Sequence, residues 1–454
     1  MVEQSDRFRP LPTGAHGLDR ESVMRDQRER LARAMVQLIA EKGYPAVRIV
    51  DLARLARVSQ PTFYGLFEDK EALLLSAYDE IAARAAALIG RSFAGEGCYE
   101  ERLLDAIAGV AELAAMEPDS VSLLLLGALG AGPGALEHRR RVLLSLERSI
   151  APDESARTHP SDGENLTPKA IIGGVREVAA ARLREGRGSE LPLMAPQITA
   201  WATSYPQELP AGLGAPPVRR TPRNRSAAVE PSERARRAEG RLPRGRSELP
   251  RSIIRNSQRE RIVDATAAVV TEKGLAAATI PEIARRANIS HQTFYDLYPS
   301  KQHAFLGAQK VGMHEALRVT AEAYAACEPD WPTAVAAGLS ALVEYLASEP
   351  AHARLILVDT FAASPEAIEI RSSALSAFAS YLRPGYELAA DRSEVPDVTA
   401  ESIVGGLWQI LHHYAERDCT AELPRAAPQM TYFALTPFLG AERATATALS
   451  LART

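Results

Sequence analysis

Gln27–Lys70 reads QRERLARAMVQLIAEKGYPAVRIVDLARLARVSQPTFYGLFEDK, and Gln258–Lys301 reads QRERIVDATAAVVTEKGLAAATIPEIARRANISHQTFYDLYPSK. The stretches align without a gap at an offset of 231, and the match runs on to Leu74 and Phe305. Each opens with apolar residues at i, i+3, i+4, i+7 and i+8, the spacing of a helix with one buried stripe. These are Leu31, Ala34, Met35, Leu38 and Ile39, matched by Ile262, Ala265, Thr266, Val269 and Val270. Both helices stop at Glu-Lys-Gly, where Gly43 and Gly274 suit a left-handed cap.

A second apolar face follows, Ile49, Leu52, Ala53 and Ala56, with Ile280, Ile283, Ala284 and Ala287 as counterparts. In the second copy Thr279-Ile-Pro-Glu282 reads as a capping box with proline in the first turn. The first copy has Arg48 there, a weaker cap but a cation within reach of a phosphate. A short turn carrying Arg57 or Asn288 leads to Ser59 or Ser290, good caps for a third helix. That helix divides by face. Phe63, Leu66 and Phe67 point inward, as do Phe294, Leu297 and Tyr298. Gln60, Pro61 and Tyr64 point outward, as do His291, Gln292 and Tyr295. Hydrogen-bonding and flat apolar groups on the exposed start of a helix suit base edges in a major groove.

The pattern S-Q-P-T-F-Y-x-x-F-x-x-K, repeated as S-H-Q-T-F-Y-x-x-Y-x-x-K, resembles the signature of the TetR family of bacterial regulators. In length and layout the resemblance spans both copies. It implies an all-α chain of two TetR-like units, each a trihelical helix-turn-helix DNA-binding domain followed by a helical domain that holds an effector and dimerises. On that resemblance the DNA-facing set is Arg48, Ser59, Gln60, Pro61, Thr62, Tyr64 and Lys70, with Thr279, Ser290, His291, Gln292, Thr293, Tyr295 and Lys301 in the second copy. The two lysines, at the start of the fourth helix, are expected to hold a phosphate. One departure is Arg57 or Asn288 where the family usually has glycine. Asparagine tolerates a left-handed turn and arginine does so at some cost, so the first turn is expected to be strained or differently shaped.

Outward from these readers, the repeat returns near the far end of each copy at an offset of 232. There TPKAIIGGVREVA (from Thr167) faces TAESIVGGLWQIL (from Thr399), and ELPLMAPQ (from Glu190) faces ELPRAAPQ (from Glu422). Long helices over Thr167–Arg184 and Thr399–Arg417, with shorter ones around Pro196–Tyr205 and Pro428–Phe438, occupy the place where the family builds a four-helix dimer interface. Gly173-Gly174 and Gly405-Gly406 fall in mid-helix, where each costs about 1 kcal/mol against alanine. A close helix crossing accounts for that cost, with a local kink as the alternative. The division of the chain is then an arm (1–24), a first reader (25–75), a first helical domain (76–209), a linker (210–256), a second reader (257–306) and a second helical domain (307–454). The linker is rich in Pro, Gly and Arg and holds twelve arginines against four glutamates. It reads as a flexible basic tether.

The second helical domain is much richer in aromatics than the first, which makes it the better site for an effector cavity. Phe361, Phe378, Trp408 and His412 are the candidate lining. His412 and His413 are adjacent, face different sides, and make a poor metal pair; no metal or cofactor is expected. The implied partners are a double-stranded operator with two unlike half-sites and a small-molecule effector of unassigned identity. The two copies are expected to form an intramolecular pseudo-dimer, with pairing of two chains left open.

The bulk composition agrees. Across 454 residues, 46% are hydrophobic and 24% charged, the balance of a soluble globular chain. The net charge of −4 confines any nucleic-acid surface to local patches. Each reader carries a net +3, over residues 25–70 and 251–301. Cys98, Cys327 and Cys419 stand far apart, which argues against a disulfide framework and for a reducing cytoplasm. The most apolar run, Val121–Leu129, is about half the ~20 residues of a membrane-spanning helix and reads as buried. No catalytic constellation appears, and Gly130–Gly134 lacks the preceding strand of a nucleotide-binding loop. The competing reading is a helical interaction protein in which only one helix-turn-helix binds DNA; the intact motif spacing in both copies argues against it.

Overall fold

The computed structural model describes residue 8, residues 19–126, the pairs 134–135, 137–138, 141–142 and 144–145, and residues 163–217, 250–362 and 364–451. Most of the arm, most of the Gly130–Gly134 loop and linker residues 218–249 lie outside them. Among the described residues the chain is helical, with one isolated antiparallel bridge between Glu164 and Ala215. Two compact units form: residues 1–150 with 179–195, and residues 151–178 with 196–454.

In the first unit α1 (Arg20–Lys42), α2 (Ile49–Ala56) and α3 (Gln60–Leu66) make the trihelical reader. The Ser22 N–H donates to the Asp19 carboxylate at 2.6 Å, so α1 begins within the stretch expected to be arm. Its stripe is buried as the spacing requires, with Leu31, Ala34 and Met35 fully enclosed against Leu52 and Phe63. Phe8 of the arm is buried in the same core. Gly43 has φ 74° with ψ 150°, so the expected left-handed cap is corrected to an extended, positive-φ conformation open essentially to glycine alone. Gly274 repeats it with φ 81° and ψ 156°. From the reader, α4 (Lys70–Ala94) runs out to α5 (Tyr99–Met116) and α6 (Pro118–Leu126). Val121, Leu123 and Leu124 are buried, as their apolar run predicts. A smaller core gathers Leu113, Ala114 and Val121 with Leu183 and Leu191. These last two lie on α7 (Thr167–Arg184) and α8 (Leu191–Ala202), which begins earlier than the expected Pro196 because Pro192 is tolerated in a first turn.

The second unit contains its own reader, α9 (Arg251–Lys273), α10 (Ile280–Arg286) and α11 (His291–Leu297), followed by α12 (Lys301–Ala325). The threonine that interrupts the α9 stripe is fully buried, and its hydroxyl donates to the Ile262 carbonyl at 2.7 Å. Beyond α12 come α13 (Trp331–Ser348), α14 (Pro350–Leu357), α15 (Pro365–Ser380), α16 (Gly385–Leu388), α17 (Thr399–Glu416), α18 (Leu423–Leu439) and α19 (Ala441–Leu451).

Against α17 and α18 lies the part of the first copy that belongs to this unit, the start of α7 and the end of α8. The mid-helix glycines are the crossing point. A methyl on Gly173 would meet Gln409 and lie 3.0 Å from the Gly405 carbonyl; one on Gly405 would meet Glu177 and lie 3.1 Å from the Gly173 carbonyl. A methyl on Gly406 would sit 2.6 Å from the Ala170 carbonyl and 2.7 Å from the Phe433 ring, while Gly174 abuts Trp201 and the Ser402 carbonyl. Close approach, not a kink, explains the four glycines. Around them Tyr205 stacks on Phe433 with centroids 4.7 Å apart, and its hydroxyl donates to the Phe433 carbonyl at 3.1 Å. A buried ion pair joins Arg371 Nη2 of α15 to Glu177 Oε2 of α7 at 2.7 Å.

The first residues of the linker are not a free tether. Leu213 and Ala215 are buried, Ala215 bridges Glu164, and the Tyr414 hydroxyl donates to the Pro216 carbonyl at 3.2 Å. At the far end, residues 251–256 already belong to α9. The tether assignment therefore narrows to residues outside the described set.

Candidate nucleic-acid interface

Both recognition helices are built alike. The Ser59 hydroxyl accepts the Thr62 N–H at 3.1 Å and lies 2.7 Å from the Thr62 hydroxyl; Ser290 and Thr293 repeat this at 3.0 and 2.9 Å. Phe63 and Phe294, fully buried, fix the rotation of each helix. Tyr64 and Tyr295 meet those rings edge-on at 5.4 and 5.8 Å and stand 57% and 54% exposed, among the few exposed large apolar side chains. Gln60 and Pro61, like His291 and Gln292, are exposed at the helix start. Phe67 and Tyr298 are only half-buried, so the inward face is less closed than its spacing suggests. Burial raises the Tyr298 phenol above its usual range.

The turn before each recognition helix has one shape in both copies. Arg57 and Asn288 both have φ 53°, in the left-handed region, so arginine adopts the turn rather than reshaping it. The Val58 N–H donates to the Ala53 carbonyl at 3.0 Å, and the Ile289 N–H to that of Ala284 at the same distance. A residue that sequence reasoning missed holds the turn. The guanidinium of Arg30, buried on α1 and paired with Asp26, donates to the carbonyls of Ala56 and Arg57. Arg261 does the same for Asn288 at 3.4 Å. The signal was present as the last arginine of QRER in both copies, bordering the buried stripe.

The two lysines expected at phosphates bond to backbone carbonyls in this structure, where no DNA is present. Lys70 Nζ donates to the carbonyls of Tyr44 and Val47 at 3.3 and 3.1 Å and lies 4.4 Å from the centre of the Tyr44 ring. Burial, then Glu71 and Asp69, pushes the Tyr44 phenol up to about 12. Lys301 Nζ donates to Leu275, Ala276 and Ala278 at 2.9–3.0 Å, one carbonyl for each ammonium proton. Both bind α4 or α12 to the loop before the second reader helix; a phosphate would have to displace those bonds.

The second-helix caps also differ from expectation. Thr279 makes no side-chain cap; its hydroxyl donates to Glu282 Oε2 at 2.8 Å, and Glu282 is paired with Lys273. The expected capping box is thus replaced by an ionic one. Lys273, then Thr279, holds the Glu282 carboxyl below its usual range. Arg48 donates to both Asp51 oxygens at 3.1 and 3.2 Å, Lys42 adds a third bond at 2.8 Å, and the Asp51 carboxyl is held far below the carboxylate range. With its side chain 75% exposed, Arg48 remains open to solvent.

A side-chain contact within the recognition helix also distinguishes the second reader. Gln292 Nε2 donates to Asp296 Oδ1 at 2.9 Å, whereas Pro61 and Gly65 occupy those positions in the first copy.

An apolar cavity of about 70 Å³ lies within the second unit. Of the candidate lining residues, Phe378 and Trp408 stand on its wall. His412 is half-buried but is not part of the lining, since it points about 100° away from Leu411, which is. The side chain of Phe361 lies outside the described residues. None of the described helices is long and apolar enough to cross a membrane.

The family model for bacterial regulatory proteins of the tetR family matches twice, at residues 31–77 and 262–306. Among curated proteins, the chain is 41% identical over 54 residues to the uncharacterized HTH-type transcriptional regulator YerO of Bacillus subtilis, covering 12% of this chain and 19% of that one. It is 43% identical over 61 residues to the HTH-type transcriptional regulator EthR of Mycolicibacterium smegmatis, covering 13% and 28%. The matched stretch is thus less than a third of each relative. Among solved structures, the fatty acid degradation regulator FadR of Bacillus halodurans aligns with 39% of this chain and 94% of its own, at 17% identity and a TM-score of 0.36. FadR of Bacillus subtilis, in complex with stearoyl-CoA, aligns with 38% and 96% at 18% identity and a TM-score of 0.34. With the reader motif and its family match both present twice, the chain carries in tandem the domain of the tetR family of bacterial regulatory proteins.

Proposed function

We propose that this protein is a transcriptional regulator that grips double-stranded operator DNA with two unlike recognition helices, borne on an intramolecular pseudo-dimer and controlled by a small effector. The observation that carries the reading is the reciprocal crossing at Gly173 and Gly405, in which equivalent glycines of the two copies face one another's carbonyls. Such a crossing is what a two-fold dimer interface becomes when both partners lie on one chain. Tethering replaces bimolecular assembly by an effective concentration that can approach millimolar.

Two identical recognition helices read a palindrome. Here Gln60 offers a paired hydrogen bond to adenine and Pro61 an apolar surface for a thymine methyl, while His291 and Gln292 offer donors and acceptors. The operator is therefore two unlike half-sites, about one helical turn apart or a small multiple of it. Arg48 serves as a phosphate contact. The effector occupies the cavity of the second unit.

Selection of bound sequences from a random duplex pool tests the reading. The expected product is an asymmetric site. Exchange of Gln60-Pro61 for His-Gln should shift preference in one half only, by about 1–3 kcal/mol per altered base contact. A perfect palindrome as the best site, indifferent to the exchange, overturns it.

A further inference from the structure

The lining of the cavity bears on what enters it. Met313, Leu339, Leu342, Leu375, Phe378 and Trp408 form much of the wall, and no charged side chain contributes. An ion brought there would lose its hydration without gaining a counter-charge from the wall. Two hydroxyls on the wall are engaged within the protein: that of Thr320 donates to the Ala316 carbonyl at 2.8 Å, and that of Tyr324 to the Tyr381 carbonyl at 3.4 Å. Trp408 is different. It is 8% exposed, and among the described residues its indole N–H has no hydrogen-bond partner. Its ring is fixed by Arg371, whose guanidinium lies 4.5 Å from the ring centre and is itself held by Glu177.

We propose that this cavity binds an uncharged, largely apolar molecule carrying one hydrogen-bond acceptor, and that the acceptor takes the N–H of Trp408. The inference rests on the effector reading above and names the ligand class for that site. It also gives the ligand a route to the helix crossing. The indole leans on Arg371, Arg371 holds Glu177, and Glu177 is the α7 residue against which Gly405 packs. The second-copy counterpart of Glu177, at the offset of 232, is Gln409, which carries no charge to repeat the pair.

Calorimetric titration of the full chain without DNA tests the class with three probes: methyl octyl ketone, decanoate, and butylbenzene, which is apolar and has no acceptor. The ketone is expected to bind at least about tenfold tighter than decanoate. Trp408→Phe should weaken the ketone about five- to tenfold and butylbenzene less than about twofold. Leu342→Trp, which fills the space, should abolish binding of both neutral probes. Decanoate binding as tightly as the ketone, equal losses for ketone and butylbenzene in Trp408→Phe, or no binding of the ketone would each overturn the proposal. Operator affinity measured alongside separates it from the reading it rests on. A bound ketone that leaves operator affinity unchanged keeps the ligand class and removes the effector role; bound decanoate that releases operator does the reverse.

Discussion

Gly406→Ala separates a close helix crossing from a merely helical glycine by the sign of its effect. In an open helix interior the substitution stabilises by about 1 kcal/mol, because alanine orders more cheaply. At this site the new methyl would lie 2.6 Å from the Ala170 carbonyl and 2.7 Å from the Phe433 ring. The oxygen belongs to the backbone of α7 and cannot rotate away, so relief requires the helices to separate. Overpacking of this kind costs about 1–3 kcal/mol. Two simultaneous clashes, one of them with backbone, place it near the upper end, which leaves a net loss of about 2 kcal/mol after the propensity gain. The assay is urea unfolding followed by tryptophan emission. All three tryptophans, Trp201, Trp331 and Trp408, lie in the second unit, so the signal isolates the unit that contains the crossing. Gly90→Ala in α4 is the control, since a methyl there meets nothing within 4 Å and should stabilise the first unit by circular dichroism. A Gly406→Ala protein with a raised urea midpoint would refute the crossing.

Other consequences follow from the readers. Lys301→Met should destabilise the second unit by about 1–3 kcal/mol through orphaned carbonyls, yet leave the salt dependence of DNA binding nearly unchanged. Arg48→Ala should flatten that salt dependence by about one unit, and the opposite ranking would restore the lysine as the phosphate contact. Arg57→Gly should stabilise the first unit by about 0.5–1 kcal/mol by relieving a left-handed arginine, seen as a raised thermal midpoint; a lowered midpoint would mean that side-chain contacts outweigh backbone strain. Asp51 gives a pH signature. Arg48 and then Lys42 depress its folded-state pKa, so its contribution is complete above the ordinary aspartate value near 4 and is lost as pH falls below it. Asp51→Asn should therefore flatten the acid limb of stability against pH for the first unit, and parallel curves for the two proteins would remove that linkage.

What could be read in advance was local or repeated. The stripe from Leu31 to Leu38 and the serine caps follow from helical periodicity and from side chains that reach three residues along the chain. The glycine pairs were legible because an expensive residue at equivalent places in two copies calls for a packing reason. Lys70 and Lys301 are ambiguous in the sequence, because a cation beside a helix start suits a phosphate and a set of loop carbonyls equally well. Choosing between them requires the path of the loop at Tyr44–Val47, which no short-range pattern encodes. The Arg371–Glu177 pair was invisible for the same reason: its members are 194 positions apart, in segments that share no motif. Aromatic content points to the second helical domain, where the apolar cavity lies. Its individual residues depend on helix rotation, which is why Trp408 lines it and His412 does not.

The two copies agree where side chains hold the scaffold and differ where they face out or join one domain to the next. Phe63 and Phe294, the serine caps, the lysine locks and the facing glycines are equivalent pairs, each fixing a helix position. The joint between reader and helical domain is not equivalent. In the first copy Glu117 is bound by Arg84, with Arg33 of α1 also favouring its charged form. In the second copy the place of Arg33 is taken by Asp264, and a buried His352 lies between that carboxylate, at 3.5 Å, and Glu349, at 3.6 Å. A guanidinium offers a carboxylate one planar fork, whereas an imidazole has two ring nitrogens pointing apart, and here each faces a different acid. The same backbone thus carries a guanidinium-centred joint in one copy and an imidazole-centred joint in the other. The apolar cavity and the Trp408–Arg371 contact lie in the same unit as the imidazole joint, behind the second reader.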